Sequence, residues 1–184
     1  LGDVYKSQLL SLLIFSILSS PLKSEEEINI WKNKKDQNNI QIQNTDFDES
    51  YLELNNIHVT PIQVPHRDEY SETAGYIITG KNKKALFIPD IDKWEKWDKK
   101  LVDLAKDFDY LLLDATFYDS EEISRDISEI PHPLVSETIN LLDSLSKENK
   151  RKVYFIHMNH TNPMLDPNSE LSKSIILKGF NIAR

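Results

Sequence analysis

The sequence predicts an α/β protein in which helices cover a β-sheet. From residue 57 onward, short apolar or alternating runs typical of strands are interspersed with longer runs whose apolar residues have helical spacing. Read in order, these runs give β-β-β-α-β-α-β-α, which is the layering of an α/β domain. The 184 residues are enough for one domain with a hydrophobic core.

Three strands come first in this order. Residues 59–64 alternate between apolar and polar side chains, as a half-buried strand does. Residues 75–79 and 85–88 are largely apolar, and the polar segment 80–84 between them begins with glycine. The second and third strands are therefore expected to pair as a hairpin.

The second half alternates helices with buried strands. Apolar residues have helical spacing in three segments and form continuous runs in two others. The predicted helices are 94–108, 134–145 and 171–177, and the predicted strands are 110–113 and 153–156. Gly179 is expected to cap the last helix, and the residues after it resemble the start of a final strand.

Composition excludes several classes of site. The net charge of -8 argues against a protein that binds nucleic acid through its phosphates, which normally carries a basic patch. The chain has no cysteine, so any metal must be held by His, Asp, Glu or water. With four glycines and no glycine-rich motif, a phosphate-binding loop is not expected.

Residues 1–56 are interpreted as an atypical N-terminal segment, and residues 57–184 as the main domain. The run at 9–18 is apolar but too short to span a bilayer, which needs about 20 residues. A lysine precedes it and two serines follow it, as in a signal peptide. Two interpretations stay open: a buried helix in a cytoplasmic protein, or a leader for export or membrane attachment. The rest of the segment is a polar linker.

Imidazoles and carboxylates follow the predicted strands and give the clearest functional signal. His66, Asp90 and His157 each stand where an apolar run passes into a polar loop, and together they suit a divalent metal such as zinc. His132, between two prolines, could be a further ligand or a general acid. Acidic residues just after His66, notably Asp68 and Glu69, could orient the imidazoles.

Structural interpretations compete with these. Asp92 is expected to cap the helix that follows it, and His58 is expected to be structural because it lies inside a strand. The segment containing His160 could be a turn in which Thr and Asn bind the backbone. A histidine beside proline, such as His132, is often a turn residue.

Two stretches carry a resemblance to a known family. Residues 64–76 (VPHRDEYSETAGY) resemble a segment of the metallo-β-lactamase-fold proteins related to coenzyme PQQ synthesis protein B. Residues 155–163 (FIHMNHTNP) are similar to that family's late His-x-Asn-x-Thr-Asn-Pro motif. Three shorter segments agree in order and spacing, at 85–90, 109–117 and 130–133. The resemblance implies that this chain forms part of a metallo-β-lactamase-type αββα sandwich.

Carried over to this sequence, the resemblance implies a role for each residue. His66 and His157 would be metal ligands and Asp90 a bridging carboxylate, while His132 would assist the leaving group as the catalytic residue. Independently of the resemblance, Asp68, Glu69, Asp114 and His160 are candidates for positions that support the ligands. At His160 the family usually has asparagine, so the role of that residue is open.

The family's main metal motif, His-x-His-x-Asp-His, does not occur in these 184 residues. The chain is therefore expected to be the C-terminal portion of such a protein or a degenerate member, with weakly bound zinc or another divalent metal. Intact relatives would hydrolyse an ester, phosphodiester or lactone through metal-bound hydroxide, acting on a small-molecule substrate. The alternative is a non-catalytic binding or scaffold module on the same fold.

Overall fold

The computed structural model describes residues 41–43, 51–54, 56–67, 72–122 and 130–184. All of them lie in one compact unit, Asn39–Arg184. The predictions for residues 9–18, Asp68 and Glu69 fall outside the described residues. No helix in the described ranges is long and apolar enough to cross a membrane.

The described residues form one mixed β-sheet of eight strands, hydrogen-bonded in chain order. Neighbours from the first to the fifth strand are antiparallel, and those from the fifth to the eighth are parallel. The strands are β1 (Gln41–Gln43), β2 (Tyr51–Leu54), β3 (Ile57–Val64), β4 (Thr73–Thr79), β5 (Lys84–Ile88), β6 (Tyr110–Asp114), β7 (Val153–Ile156) and β8 (Asn181–Ile182).

Helices connect the parallel strands. They are α1 (Leu101–Asp107), α2 (Val135–Leu141), α3 (Lys147–Lys150) and α4 (Glu170–Leu177), with 3₁₀ turns at Trp94–Lys96, Ser120–Glu122 and Pro163–Leu165. Parallel strands need such crossovers because consecutive strands must start at the same end of the sheet. The predicted strands at 59–64, 110–113 and 153–156 are confirmed, as is the hairpin, whose turn is closed by a 2.8 Å hydrogen bond from Gly80 N to Lys83 O.

The core lies on the sheet face that the helices cover. Alternate strand residues point to it because side chains in a strand alternate between faces. Those that are 3% exposed or less are Ile62, Val64, Leu86, Ile88, Leu111, Leu113, Val153 and Phe155. Helix residues in the same cluster include Leu101 and Ala105 of α1, Val135 and Ile139 of α2, and Ile175 of α4. Burial of each large aliphatic side chain contributes about 1.5–3 kcal/mol.

The single helix predicted over 94–108 is wrong in its first half. Trp94–Lys96 is only a 3₁₀ turn, Trp97 is extended with φ -85° and ψ 137°, and α1 starts at Leu101. The indole N–H of Trp94 donates to Thr138 Oγ1, and that of Trp97 donates to the carbonyl of Gln63. These two long-range bonds give the indoles partners that lie on different elements, so the segment bends between them.

The other helix predictions differ only at their ends. The helix predicted over 134–145 ends at Leu141, and turns follow it. The helix predicted over 171–177 is confirmed, and Gly179 follows it with φ +99°, the left-handed conformation expected of a C-terminal cap. Strands β1 and β2 lie within the segment 1–56, and the boundary placed at residue 56 stays a prediction.

Candidate metal site

Four residues singled out in the sequence lie near one edge of the sheet. His66 follows β3, Asp90 follows β5, His157 directly follows β7, and His132 lies shortly before α2. Strands β3 and β5 point the same way because each is antiparallel to β4, and β5, β6 and β7 are parallel. The carboxyl ends of β3, β5, β6 and β7 therefore meet at this edge, where α/β folds commonly bind ligands.

Three of these side chains are close enough to share a metal ion. His66 Nε2 lies 3.0 Å from Asp90 Oδ1, and His132 Nδ1 lies 3.4 Å from the same oxygen. One potential ligand atom from each of the three residues lies within 4.8 Å of the others. Among the described residues, no other group of three His or acidic residues is this close.

The contact between His66 and Asp90 has the distance of an ion pair but not the geometry of a hydrogen bond. Across the part of the chain that is described, His66 Nε2 and Asp90 Oδ1 are the buried side-chain polar atoms without a hydrogen-bond partner. Leaving such atoms unpaired costs about 1–3 kcal/mol each. Two ligands of one tetrahedral zinc stand about 3.4 Å apart when their bonds are about 2.0–2.1 Å. The residues present therefore fit a divalent metal ion.

Asp114 lies at the end of β6, in contact with His132, and is 0% exposed. Its Oδ1 accepts hydrogen bonds from Thr116 N (2.8 Å) and Thr116 Oγ1 (2.6 Å). Its Oδ2 lies 2.8 Å from His132 Nδ1 and accepts a longer bond, 3.4 Å, from Ile91 N. Burial by itself would raise the pKa of Asp114, but the hydrogen bonds from His132 and Thr116 and the nearby His157 imidazole outweigh it, so the pKa is lowered and the carboxylate is ionised.

His157 is the most exposed of the three site imidazoles, with 49% of its side chain accessible. Its backbone turns sharply out of β7, with φ +61°. Its Nδ1 lies 3.2 Å from Thr116 Oγ1 and 3.7 Å from Asp114 Oδ1. The interaction with Asp114 raises the pKa of His157; partial burial opposes this, and the charge of Asp90 and the carbonyl of Pro89 add to the increase.

His132 is held more tightly than His157. Besides its 2.8 Å contact with Asp114, its Nδ1 lies 3.3 Å from Thr116 Oγ1. The rings of Phe117 and His132 form a T-shaped contact with their centroids 6.1 Å apart, and the centroid of the His66 ring lies 5.6 Å from that of His132. The ring is thus oriented by a buried carboxylate and two neighbouring rings.

Asn162 connects the loop after β6 to the loop after β7. Its side chain is almost fully buried and donates to the carbonyls of Ala115 (2.8 Å) and Thr116 (3.3 Å), while its Oδ1 accepts from Met164 N. The backbone N of Asn159 also donates to the Thr116 carbonyl, at 3.0 Å. These bonds hold the segment that carries Thr116 against the segment that carries His157.

Several other candidates are placed elsewhere. His160 is exposed, and its Nδ1 lies 3.0 Å from Asn159 Oδ1. Asp92 accepts hydrogen bonds from Lys93 N and Lys96 Nζ, both at 2.7 Å, so it supports the 3₁₀ turn rather than capping a long helix. His58 is exposed within β3.

Two residues of the site were missed from the sequence, Thr116 and Asn162. A weak signal exists for Thr116, because it stands two residues after a strand that ends on a carboxylate. Asn162 stands before proline, which is more commonly a turn signal. Neither signal indicates contact with an imidazole far away in the chain.

Comparison with known proteins shows which family this chain resembles. A beta-lactamase superfamily domain matches residues 18–158. Two curated proteins, both coenzyme PQQ synthesis protein B, are similar to this chain. The one from Pseudomonas syringae pv. tomato is 27% identical over 133 residues, which is 67% of this chain and 43% of that protein. The one from Pseudomonas putida is 28% identical over 92 residues, 47% of this chain and 30% of that protein.

A solved structure is similar as well. The zinc-bound PqqB from Methylobacterium extorquens superposes with a TM-score of 0.61 and 20% identity, over 77% of this chain and 53% of that one. At this identity the likeness is one of fold. The chain spans less than half the length of the curated relatives it matches.

Proposed function

Since this chain belongs to the beta-lactamase superfamily and has the metallo-β-lactamase fold, we propose that it is a metal-dependent hydrolase of an ester, phosphodiester or lactone. The observation that carries the proposal is the pair of buried, unpartnered atoms His66 Nε2 and Asp90 Oδ1, 3.0 Å apart. A carboxylate oxygen and an imidazole nitrogen are donors that zinc accepts. The similar protein from Methylobacterium extorquens is zinc-bound, which supports zinc here.

In this proposal His66, Asp90 and His157 hold the ion and His132 stands beside it. The nitrogen of His132 that approaches Asp90 is Nδ1, which is already hydrogen-bonded to Asp114. The ionised carboxylate of Asp114 can only accept hydrogen bonds, so this nitrogen must carry a hydrogen. That nitrogen is therefore a poor ligand, even though His132 lies within the group of three. The ring of His157 is partly exposed and feels the charge of Asp90, so one of its nitrogens is available to the ion.

The remaining residues position the His132 ring and provide a group that can transfer a proton to the substrate. A bound divalent ion supplies Lewis acidity and lowers the pKa of a coordinated water. Asp114 orients the His132 ring, whose outer nitrogen can hold or release a proton beside a bound ester. The ring of Phe117 contacts the same ring in a T-shaped arrangement. The proposed partner is a small-molecule substrate whose reacting group would approach within hydrogen-bond distance of His132.

Metal binding tests the proposal directly. In a calorimetric titration of the 184-residue chain with zinc, we expect one ion to bind, more weakly than structural four-ligand sites, which reach about 10–16 kcal/mol. His66→Ala removes one of the two unpartnered atoms and is expected to weaken binding at least tenfold. His58→Ala is the matched control, because it removes an exposed histidine near the start of β3, the strand after which His66 stands.

Two results would contradict the metal site. Equal loss of zinc binding in His66→Ala and His58→Ala would show that binding is not local to the site. Tight binding of two ions, abolished by His66→Ala, would show that further ligands exist.

Hydrolysis is tested with one substrate of each bond type: p-nitrophenyl acetate, bis(p-nitrophenyl) phosphate and dihydrocoumarin. We expect slow turnover of at least one by the zinc-loaded chain, above the rate of His66→Ala. Zinc binding without turnover of any of them would favour the second candidate, a non-catalytic binding module on the same fold.

A further inference from the structure

The hydrogen bonds around Asp114 have a fixed direction. A carboxylate offers only acceptor positions when it is ionised, and Asp114 is fully buried with each oxygen accepting a backbone N–H, Oδ1 from Thr116 and Oδ2 from Ile91. Each group in contact with it must therefore donate. His132 Nδ1, 2.8 Å from Oδ2, must carry a hydrogen, and so must Thr116 Oγ1, 2.6 Å from Oδ1.

The hydroxyl of Thr116 has a single hydrogen, which it donates in the hydrogen bond to Asp114 Oδ1. What remains on Oγ1 are two lone pairs, which can only accept. Two imidazole nitrogens lie within reach of them: His157 Nδ1 at 3.2 Å and His132 Nδ1 at 3.3 Å. If either nitrogen lacked a hydrogen, two lone pairs would face each other in a half-buried space, which is unfavourable.

We propose that Thr116 is a positioning residue whose hydroxyl holds His157 with its hydrogen on Nδ1 and its lone pair on Nε2, and supports the same form in His132. The inference rests on the proposed function for its consequence, since Nε2 of His157 is then the atom offered to a metal ion. A ligating histidine usually donates its other ring N–H to a carboxylate or carbonyl. Here a threonine hydroxyl relays that contact to a buried aspartate.

The position of Thr116 is itself fixed. Its backbone N donates to Asp114 Oδ1, and its carbonyl accepts from Asn159 N at 3.0 Å and from the Asn162 amide at 3.3 Å. With the backbone held on both sides, the hydroxyl can leave the two rings only by rotation of the side chain, which would break its 2.6 Å bond to Asp114 Oδ1. The carbonyl of Pro89 is a competing acceptor for the His157 ring.

The tautomers can be measured in the unmodified, metal-free chain. Nitrogen-15 NMR of the histidine rings, recorded at a pH at which both rings are neutral, distinguishes a hydrogen on Nδ1 from one on Nε2. We expect the Nδ1–H form for His132 and for His157. A predominant Nε2–H form at His157 would overturn the inference without any substitution.

Two variants separate the hydroxyl from the fold. Thr116→Val keeps the shape and removes the hydroxyl, and we expect His157 to shift toward the Nε2–H form while His132 keeps Nδ1–H through Asp114. Thr116→Ser restores a hydroxyl and is expected to restore the His157 form. An unchanged His157 tautomer in Thr116→Val would overturn the role of Thr116, and if that variant does not fold, failure of Thr116→Ser to retain the wild-type form would do so.

Zinc titration gives the functional readout. We expect Thr116→Val to weaken zinc binding about 10–100-fold, as loss of a ligand-orienting partner does, and Thr116→Ser to recover most of it. Equal zinc affinity in Thr116→Val and wild type would overturn the link to the metal. If the wild-type chain binds no zinc, the proposed function fails, whereas the tautomer result still decides the role of Thr116.

Discussion

Asp114 is the residue on which the site's electrostatics depend. A carboxylate taken fully out of water carries a desolvation cost of several kcal/mol. Four donor contacts offset that cost, two from Thr116 and one each from His132 and Ile91. Because the carboxylate is matched to these particular donors, its loss should affect both stability and the orientation of the imidazoles.

The pair formed by Asp114 and His157 predicts a dependence of stability on pH. The lowered pKa of Asp114 gives stability that is present above about pH 3.9 and is lost as pH falls through the folded-state pKa. The raised pKa of His157 gives stability that is present below about pH 6.5 and is lost as pH rises through the folded-state pKa. Urea unfolding of the metal-free chain should therefore be hardest between these limits.

Two variants test which residue causes each loss of stability, at low pH and at high pH. His157→Gln should flatten the decline on the alkaline side and leave the acid side in place. Asp114→Asn should lower the free energy of unfolding by about 3–5 kcal/mol near neutral pH, because it leaves buried donors facing an amide. An alkaline decline that persists in His157→Gln would assign it to another group.

His132 and His157 should differ in what their loss removes. His132→Ala is expected to leave zinc content unchanged and to lower turnover about 10²-fold, since a general acid contributes about that much. His157→Ala is expected to lower zinc content as well. Metal analysis after dialysis and initial rates, compared with exposed His160→Ala as the control, check this. Equal loss of zinc from both variants would make His132 a ligand.

For individual residues, the sequence predicted which side chains form the site better than it predicted their contacts with one another. His66, Asp90, His132 and His157 could be found because each follows or neighbours an apolar run. Their spacing could not reveal that Asp114 faces His132, since that contact depends on how two loops far apart in the chain are brought together. Thr116 was missed for the same reason.

Among the elements, the end of α4 gives the sharpest test of backbone geometry. Gly179 has φ +99°, and its N–H donates to the Ile176 carbonyl at 2.9 Å. Gly179→Ala should cost about 1 kcal/mol or more in unfolding free energy, because a side chain is strained in this conformation. An added Cβ would have ordinary contacts, the nearest being 3.5 Å from Lys150 Cβ, so the cost would come from the backbone.

Gly80 is the matched control for Gly179. Its φ lies outside the left-handed region, and an added Cβ would lie 3.6 Å from the Lys83 carbonyl, an ordinary contact. Gly80→Ala should be neutral or stabilise by about 0.4–1 kcal/mol through the unfolded chain. Urea unfolding of both variants gives the comparison, and equal destabilisation would contradict the backbone explanation.

The strands were more predictable than the segment between β5 and β6. Continuous apolar runs and the hairpin signal sufficed for β4 to β7, because burial on a sheet leaves a local pattern. The segment containing Trp94 and Trp97 also has helical spacing, yet it bends. Its indoles bind Thr138 and Gln63, and such distant partners override local periodicity.

For the whole molecule, strand order explains how distant residues form one site. Strands β3 and β5 run in the same direction because both are antiparallel to β4. Strands β6 and β7 are parallel to β5, so their carboxyl ends lie at the same edge of the sheet. The α/β class, the family and the metallo-β-lactamase fold expected from the sequence are confirmed. Hydrolysis and the identity of the metal depend on contacts between these ends, and they stay proposals.

Because the proposed ligands come from the ends of three different strands, zinc should stabilise the whole fold and not only one loop. A ligand that binds only the folded state at 100 times its Kd adds about 2.7 kcal/mol. For a domain of this size that corresponds to roughly 5–10 °C in Tm. Thermal unfolding with and without zinc measures the shift, and a chelator should reverse it.

Magnesium should shift Tm less, because imidazole nitrogen suits zinc better than magnesium. His66→Ala should lose most of the zinc shift and His58→Ala should keep it. A shift of the same size in both would mean that zinc acts elsewhere on the chain.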